Sequence, residues 1–323
     1  MAKKSATRRK THADNSESAW TVAVSDAGDG LLAVAVHGGS TVRIIDVHTG
    51  TLRGEHAFGS TVLSIAWASR DSIAVALHSG SVDVYSASRN AVVVQLKPAA
   101  SVVDVACCAD TGSLVTLDSA GAVELWDPQT GLAAKRIATG LAGAAKVAVS
   151  RDGLRVAVAS HRVAVWDLAS GANVFVGAGG HAAGVHSLCW GDDEVATAAA
   201  GDRSVLVWHV ASTEGPRAIL TANDSDVAAL DVGADGSVVA VGSDGAVSAW
   251  FGPLSSSAAG RAPDTVIRIT GSAVRVARLS RVAGDEAKCL LVRGSPAVPL
   301  CEQVALADRD GRFAASVELQ RGS

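Results

Sequence analysis

The chain has 323 residues, a hydrophobic share of 48% and an aromatic share of only 4%. No uncharged apolar run of about 18 residues is present and no hydrophobic segment opens the chain, so we predict neither a membrane span nor a secretory signal. The net charge of −4 disfavours a domain that wraps nucleic acid over its whole surface. None of the five cysteines lies in a CxxC pair, which indicates reduced thiols and disfavours a zinc site.

The first 18 residues differ from the rest in charge and periodicity. They hold five Lys or Arg residues against Asp14 and Glu17, a net charge of +3, which leaves −7 for the remainder. They show no apolar periodicity, so we predict a disordered basic tail over 1–18. The basic cluster fits a nuclear-import signal or an RNA-contacting arm, and the alternative is a solvated tail without a targeting signal. Its members are Lys3, Lys4, Arg8, Arg9 and Lys10.

A repeat begins at Trp20. The third strand of each unit ends on a large anchor residue, and successive anchors are 40, 41, 40, 42 and 42 residues apart. A period of about 40–45 residues with four strands per unit is typical of β-propeller blades. The anchors are Ile45-Asp46, Tyr85, Trp126-Asp127, Trp166-Asp167, Trp208 and Trp250.

The strands within a unit follow one pattern. The first strand alternates, as in 62–67, and the second is a nearly continuous run of small apolar residues, as in 31–36. Such runs fit strands that are buried on both faces between neighbouring blades. Tight turns rich in Gly and Asp separate the strands. The pattern predicts an all-β fold with four antiparallel strands per blade.

We predict one seven-bladed β-propeller over residues 20–319. Residues 251–264 are expected to be a loop, with 266–270 as the outer strand of blade six. The seventh unit lacks the tryptophan and the Asp turn, and we expect it to close the ring with its own C-terminal strand, because the residues before Trp20 are too polar to pair. The predicted blades are approximately 20–58, 61–97, 101–140, 144–178, 184–220, 226–270 and 273–319.

The stretch 180–208 is the most complete unit. His181, Asp202 and Trp208 resemble the hydrogen-bonded set of WD-repeat blades, in which a second-strand hydroxyl completes the chain, and Thr197 is the nearest candidate for that hydroxyl. Buried polar groups need such partners. No serine or cysteine lies in an activating motif beside the His and Asp, so we predict structural anchors. The other predicted anchors are Trp126, Asp127, Trp166, Asp167 and Trp250.

Other polar features also fit structural roles better than chemical ones. His181 and His186 have no carboxylate at ligand spacing, which disfavours a metal site. The glycine-rich stretch 177–180 precedes a strand and lacks the Lys-Ser or Lys-Thr of a phosphate loop. The acidic turn 192–194 is expected to be solvated, or else part of a partner surface. We therefore predict no catalytic, cofactor-binding or metal-binding residue, and no cofactor.

The run from Val147 to Leu306 resembles, in order, the N-terminal propeller of one family: the nucleolar WD-repeat subunit called UTP five, of the UTP-A subcomplex of the small-subunit processome. Residues 20–140 resemble WD-repeat proteins only in general. The family also carries a helical C-terminal domain, which we expect this chain to lack. The matching stretches are VSRDGLRVAVASHRVAVWDLASG, GGHAAGVHSL, AGDRSVLVWHV, TANDSDVAALDV, SDGAVSAW and KCLLVRGSPAVPLCEQVALAD.

This resemblance implies a non-catalytic scaffold of the nucleus and nucleolus that supports maturation of small-subunit ribosomal RNA. The implied partners are other WD-repeat UTP-A subunits and, directly or through the complex, pre-ribosomal RNA or the snoRNP; no membrane and no small-molecule substrate is implied. One alternative is a generic WD-repeat interaction module in another nuclear or cytoplasmic complex. Another is a propeller enzyme, which would need carboxylates or histidines to converge at one mouth of the central channel. A ligase-adaptor role is disfavoured because no Arg stands two residues after either Trp-Asp pair.

Overall fold

The computed structural model describes most of residues 20–268 and, beyond them, the backbone of four strands. The described part of the chain consists of β-strands and turns, and no helix in it is long and apolar enough to cross a membrane. The basic tail lies outside the described residues. Those not described are 1–19, 26–30, 37, 47–48, 50, 109–110, 213–214, 222–224, 234–235, 252–256, 269–275, 283–285, 296–297, 306–315 and 320–323.

The first three blades are antiparallel four-stranded sheets, each formed by four consecutive strands. Blade one contains β1 (Trp20–Val24), β2 (Leu31–Val36), β3 (Thr41–Asp46) and β4 (Leu52–Ala57). Blade two contains β5 (Val62–Trp67), β6 (Ser72–Leu77), β7 (Val82–Ser86) and β8 (Ala91–Leu96). Blade three contains β9 (Val102–Cys108), β10 (Ser113–Asp118), β11 (Ala122–Trp126) and β12 (Ala133–Ala138).

The next three blades repeat this order, with one added strand. Blade four contains β13 (Lys146–Val149), β14 (Arg155–Ala159), β15 (Val163–Asp167) and β16 (Asn173–Val176). Blade five contains β17 (Val185–Trp190), β18 (Glu194–Ala199), β19 (Ser204–His209) and β20 (Ala218–Thr221). Blade six contains β21 (Val227–Val232), β22 (Val238–Gly242) and β23 (Ala246–Trp250), then β24 (Ser257–Arg261), which joins blade five, and β25 (Thr265–Arg268), the outer strand of blade six.

Packing between neighbouring blades forms the core. The second strands are buried on both faces, as the sequence pattern predicts, because small side chains let adjacent sheets approach closely. Ile44, Trp67 and Tyr85 belong to one apolar cluster that joins blades one and two. Trp126 packs in the cluster that joins blades two and three. Burial of each such side chain stabilises the fold by roughly 1.5–3 kcal/mol, so these clusters hold neighbouring blades together.

Successive innermost strands lie side by side in the order β1, β5, β9, β13, β17 and β21. Because strand direction alternates within a blade, the turns between second and third strands all lie at one end of the propeller, together with the connections between blades. We call this end the bc face; its turns include 160–162 and 200–203. The opposite end, the ab face, carries the turns between first and second strands and between third and fourth strands, such as 68–71 and 127–132.

The predicted number of blades requires a correction. Antiparallel four-stranded blades forming a propeller are confirmed, but six blades, not seven, carry the repeat with its packed anchors. A seventh antiparallel sheet follows, formed by β26 (Val276–Val282), β27 (Glu286–Ser295), β28 (Val298–Ala305) and β29 (Ser316–Leu319). Its two central strands have ten and eight residues, longer than those of the blades, and its sequence has neither the tryptophan nor the Asp turn of the repeat. β26 contacts β21, while closure of this sheet onto blade one stays a prediction.

The segment between Trp250 and β25 contains a strand that the sequence did not predict. β24 pairs in parallel with β20, with Ala218 opposite Ser257 and Leu220 opposite Arg261. It adds a fifth strand to the outer edge of blade five. Its composition, Ser-Ala-Ala-Gly-Arg, has no β-branched or aromatic residue, which is why local propensity did not indicate a strand.

Candidate functional site

The predicted hydrogen-bonded set of blade five is assembled in the structure. Nδ1 of His181 lies 2.7 Å from Oδ2 of Asp202, and Nε2 of His181 lies 2.9 Å from the hydroxyl of Thr197. The indole N–H of Trp208 donates to the same hydroxyl over 3.0 Å. Thr197 therefore joins a loop histidine, a turn carboxylate and a third-strand tryptophan, and both Thr197 and Trp208 are 1% exposed.

The electrostatics of this set favour an ionised Asp202. Partial burial acts to raise the pKa of its carboxyl, but hydrogen bonds from His181 and from the hydroxyl and backbone of Ser204 outweigh burial and lower the pKa below its ordinary value. An ionised Asp202 accepts the Nδ1 proton of His181, which leaves Nε2 as the partner of the Thr197 hydroxyl. The polar side-chain atoms of the set thus bond to one another and to Ser204, and these hydrogen bonds stabilise the fold.

Two glycines of the stretch 177–180 allow the loop to approach its neighbours. A Cβ on Gly177 would lie 2.8 Å from the Trp208 ring, closer than side-chain carbons approach, and a Cβ on Gly180 would overlap the carbonyl oxygen of His161. The backbone N–H of His181 donates to that same carbonyl over 3.0 Å. These glycines therefore place His181 between blades four and five.

Blade three uses a variant of the same set that the sequence did not reveal. The Trp126 indole N–H donates to the buried Thr116 hydroxyl over 2.9 Å. Asp118 accepts from two backbone N–H groups of its turn. In place of a histidine, Arg136 bridges Asp118 and Glu124, with both N···O distances 2.6 Å. Regular spacing could have indicated Thr116, because Thr116 precedes Trp126 by ten residues and Thr197 precedes Trp208 by eleven.

The remaining predicted anchors occupy two kinds of position. Trp166 and Trp250 are buried in the apolar clusters between blades. Asp127 and Asp167 instead cap the turns that follow the third strand, where Asp127 accepts from the backbone N–H of Gln129 and from the Thr130 hydroxyl. Hydrogen bonds to these turn groups lower the pKa of both carboxyls. They shape exposed turns on the ab face.

A second polar network crosses the innermost strands of blades two to four. The Ser64 hydroxyl donates to Asp104 over 2.7 Å, and the backbone N–H of Val147 donates to the other carboxylate oxygen over 3.0 Å. Lys146 lies 3.8 Å from Asp104. Asp104 is only 5% exposed, so one buried carboxylate links the innermost strands of three consecutive blades.

His186 lies on the next innermost strand, β17. Burial lowers the pKa of its imidazole, and the positive charge of Lys146 lowers it further. Partly exposed aliphatic residues of the innermost strands pack against the apolar clusters between blades, among them Leu63, Val103 and Leu188. Lys146 and His186 lie on neighbouring innermost strands as one cationic and one largely neutral group.

The acidic turn 192–194 is partly neutralised. Asp193 lies 3.6 Å from Arg155, and Glu194 forms a 2.6 Å ion pair with Arg217. Burial raises the pKa of Glu194 even though Arg217 acts against the shift. No group of three or more His, Cys, Asp or Glu side chains suited to a metal ion occurs within the described residues.

The sheets, their ring order and the His-Thr-Trp set define a WD-repeat-like β-propeller. No protein-family profile matches the chain, and no curated protein matches it. Among solved structures, it is similar to a chain from a crystal structure of a mitotic checkpoint complex, with a TM-score of 0.65 and 19% sequence identity. The match covers 93% of this chain and 87% of that chain. At this level of identity the similarity shows the fold.

Proposed function

We propose that the chain is a non-catalytic scaffold that binds other proteins through the turns at the two ends of its propeller. The observation that carries this proposal is that the most complete hydrogen-bonded set, in blade five, is satisfied by its own members. His181, Asp202 and Thr197 satisfy one another within blade five, which leaves no activated nucleophile among them. Exposed polar groups on the turns remain available to partners, because a rigid scaffold presents variable side chains there.

We further propose that this scaffold acts in the nucleolus as part of the small-subunit processome, among other WD-repeat UTP-A subunits and close to pre-ribosomal RNA or the snoRNP. The support is the succession of stretches from Val147 to Leu306, whose resemblance to the UTP five propeller includes the short turn 160–162 and the run KCLLVRGSPAVPLCEQVALAD. The basic cluster of the tail fits import into the nucleus or contact with RNA phosphates.

The alternative is an interaction module of a different complex. The solved neighbour comes from a mitotic checkpoint complex, which makes a multi-protein assembly outside ribosome biogenesis the second candidate. The two proposals share the propeller and differ only in partners, so partner identity decides between them.

Affinity purification of the tagged chain from its own cells, followed by mass spectrometry and by imaging of the tag, tests the proposal. We expect nucleolar signal and recovery of several WD-repeat processome subunits together with the associated small nucleolar RNA. A matched form without residues 1–18 should lose nucleolar enrichment but keep protein partners in an extract, because the propeller is unchanged. Recovery of a stable complex without any pre-ribosomal factor would favour the alternative. Recovery of no partner at all would contradict the scaffold role.

A further inference from the structure

The junction between blades four and five carries two exposed arginines on neighbouring turns. Arg162 lies in the turn between β14 and β15, and Arg203 lies in the turn between β18 and β19, so both belong to the bc face. Neither guanidinium has an ion pair or a hydrogen-bond partner among the residues that the structure describes. Guanidinium groups bind carboxylates through two parallel hydrogen bonds, which makes unpaired arginines on rigid turns suitable for anionic partners.

His181 fixes the two turns relative to each other. Its backbone N–H donates to the carbonyl of His161, in the turn that carries Arg162, and its side chain binds Asp202, the residue before Arg203. The first turn is short, since the Ser160 N–H donates to the Arg162 carbonyl over 2.8 Å. The second is held by Asp202, which also accepts from Ser204. The arginine backbones therefore stand at a set spacing before any partner arrives, which reduces the entropic cost of binding.

The two faces of the propeller differ in charge around this junction. On the bc face, the exposed carboxylates that the structure describes, Asp226 and Asp244, belong to blade six. The ab face carries exposed carboxylates on several blades, including Asp127 and Asp193, together with the exposed arginines Arg70 and Arg151. At the junction the partly exposed Asp202 is bound by His181 and Ser204, so an anionic segment meets two unpaired arginines there and mixed charges at the opposite end.

The chemistry of the junction favours a peptide over RNA. The large hydrophobic side chains that are exposed in the described residues are all Leu or Val, so no Trp, Tyr or Phe ring described as exposed offers a base-stacking platform, and the exposed ring of these two turns is the single imidazole of His161. Two arginines also provide few phosphate contacts for a nucleic acid. Two bidentate carboxylate contacts, in contrast, suffice to orient an extended acidic segment.

We propose that the bc face at the junction of blades four and five docks an acidic, Asp- or Glu-rich peptide segment of a partner protein, with Arg162 and Arg203 as the contacting residues. This inference rests on the proposed scaffold function and names the chemistry of one partner. It assigns the contact to a specific pair of turns and predicts that the affinity falls as the salt concentration rises.

Fluorescence anisotropy with a labelled peptide of alternating Glu and Ser tests the proposal on the full chain. We expect the double variant Arg162→Glu/Arg203→Glu to bind about tenfold more weakly or worse. The matched control is Arg70→Glu/Arg151→Glu, which makes the same charge change at two exposed ab-face positions and should leave binding within about twofold. Circular dichroism and the urea midpoint of each variant verify that the fold is intact. For the wild type, raising the salt from about 50 to about 200 mM should weaken binding several-fold.

Three outcomes would overturn the proposal. The first is equal binding by the wild type and the Arg162/Arg203 variant. The second is an equal loss in the ab-face control, which would mean that only net charge matters. The third is tighter, Arg162-dependent binding of a single-stranded oligouridine probe, which would assign the junction to RNA. If the wild type still recovers protein partners from cells in any of these cases, the scaffold function stands and only this surface assignment fails.

Discussion

The shared hydroxyl of Thr197 provides a quantitative test of the blade-five set. Thr197→Val keeps the shape of the side chain but removes the partner of both the Trp208 indole N–H, 3.0 Å away, and Nε2 of His181, 2.9 Å away. Each buried polar group left without a partner costs about 1–3 kcal/mol. We therefore expect Thr197→Val to lower the free energy of unfolding by about 2–6 kcal/mol.

Thr116→Val in blade three is the matched control. Thr116 is as deeply buried as Thr197, both at 1% exposure. Its hydroxyl accepts the Trp126 indole N–H, and no histidine among the described residues is bonded to it. Its replacement should cost about 1–3 kcal/mol. Urea unfolding at neutral pH, followed by tryptophan fluorescence and circular dichroism, measures both values, provided that the slopes agree with those of the wild type.

The comparison of the two variants decides the role of His181. If Thr197→Val costs no more than Thr116→Val, then His181 adds nothing to the stability of blade five, and the hydrogen-bonded set is not a unit. A double-mutant cycle of His181→Ala with Thr197→Val should give a coupling energy of about 0.5–3 kcal/mol. Additive single effects would contradict the direct bond between the two side chains.

Three further predictions concern Asp202 of the blade-five set, the glycine that packs against Trp208, and the second polar network around Asp104. Because the pKa of Asp202 is lowered in the folded state, its stabilising effect is present at neutral pH and is lost as the pH falls below the ordinary value of 3.8, so the difference in urea midpoint between wild type and Asp202→Asn should shrink there. Gly177→Ala should destabilise by about 1–3 kcal/mol because its Cβ meets the Trp208 ring, whereas Gly184→Ala, with no atom within 4 Å, should have a much smaller effect; equal thermal midpoints would refute this. Asp104→Ala should cost about 2–4 kcal/mol in urea unfolding because the Val147 N–H and the Ser64 hydroxyl lose their acceptor, while Lys146→Met should cost about 1 kcal/mol or less, since Lys146 is more exposed.

Features set by local repetition were predictable from the sequence. The spacing of the anchors located the third strands of six blades, and His181, Asp202 and Trp208 could be recognised because each stands at a characteristic place in its own unit. Thr197 was reached in the same way. Side-chain alternation and small apolar runs identified the strand types, because the residue pattern within a strand reflects which of its faces are buried.

Features that depend on contacts between distant parts of the chain were not predictable. Asp104 and Ser64 are forty residues apart, and only the packing of blade two against blade three brings them together. In blade three, Arg136 on the outer strand occupies the role that a histidine has in blade five, and no local motif marks its position. β24 pairs with β20 through a parallel contact across about forty residues. The seventh sheet differs from the repeat because its sequence has neither the tryptophan nor the Asp turn.

The most direct test of the scaffold role is the sedimentation of the native chain in an extract of its own cells. On a density gradient, we predict that the chain migrates with a large particle together with WD-repeat processome subunits. The protein contacts should survive mild ribonuclease treatment in a smaller subcomplex, because the proposed scaffold binds its partners through the propeller faces and not through RNA. Migration of the chain as a free monomer in every condition, with or without nuclease, would contradict the scaffold role.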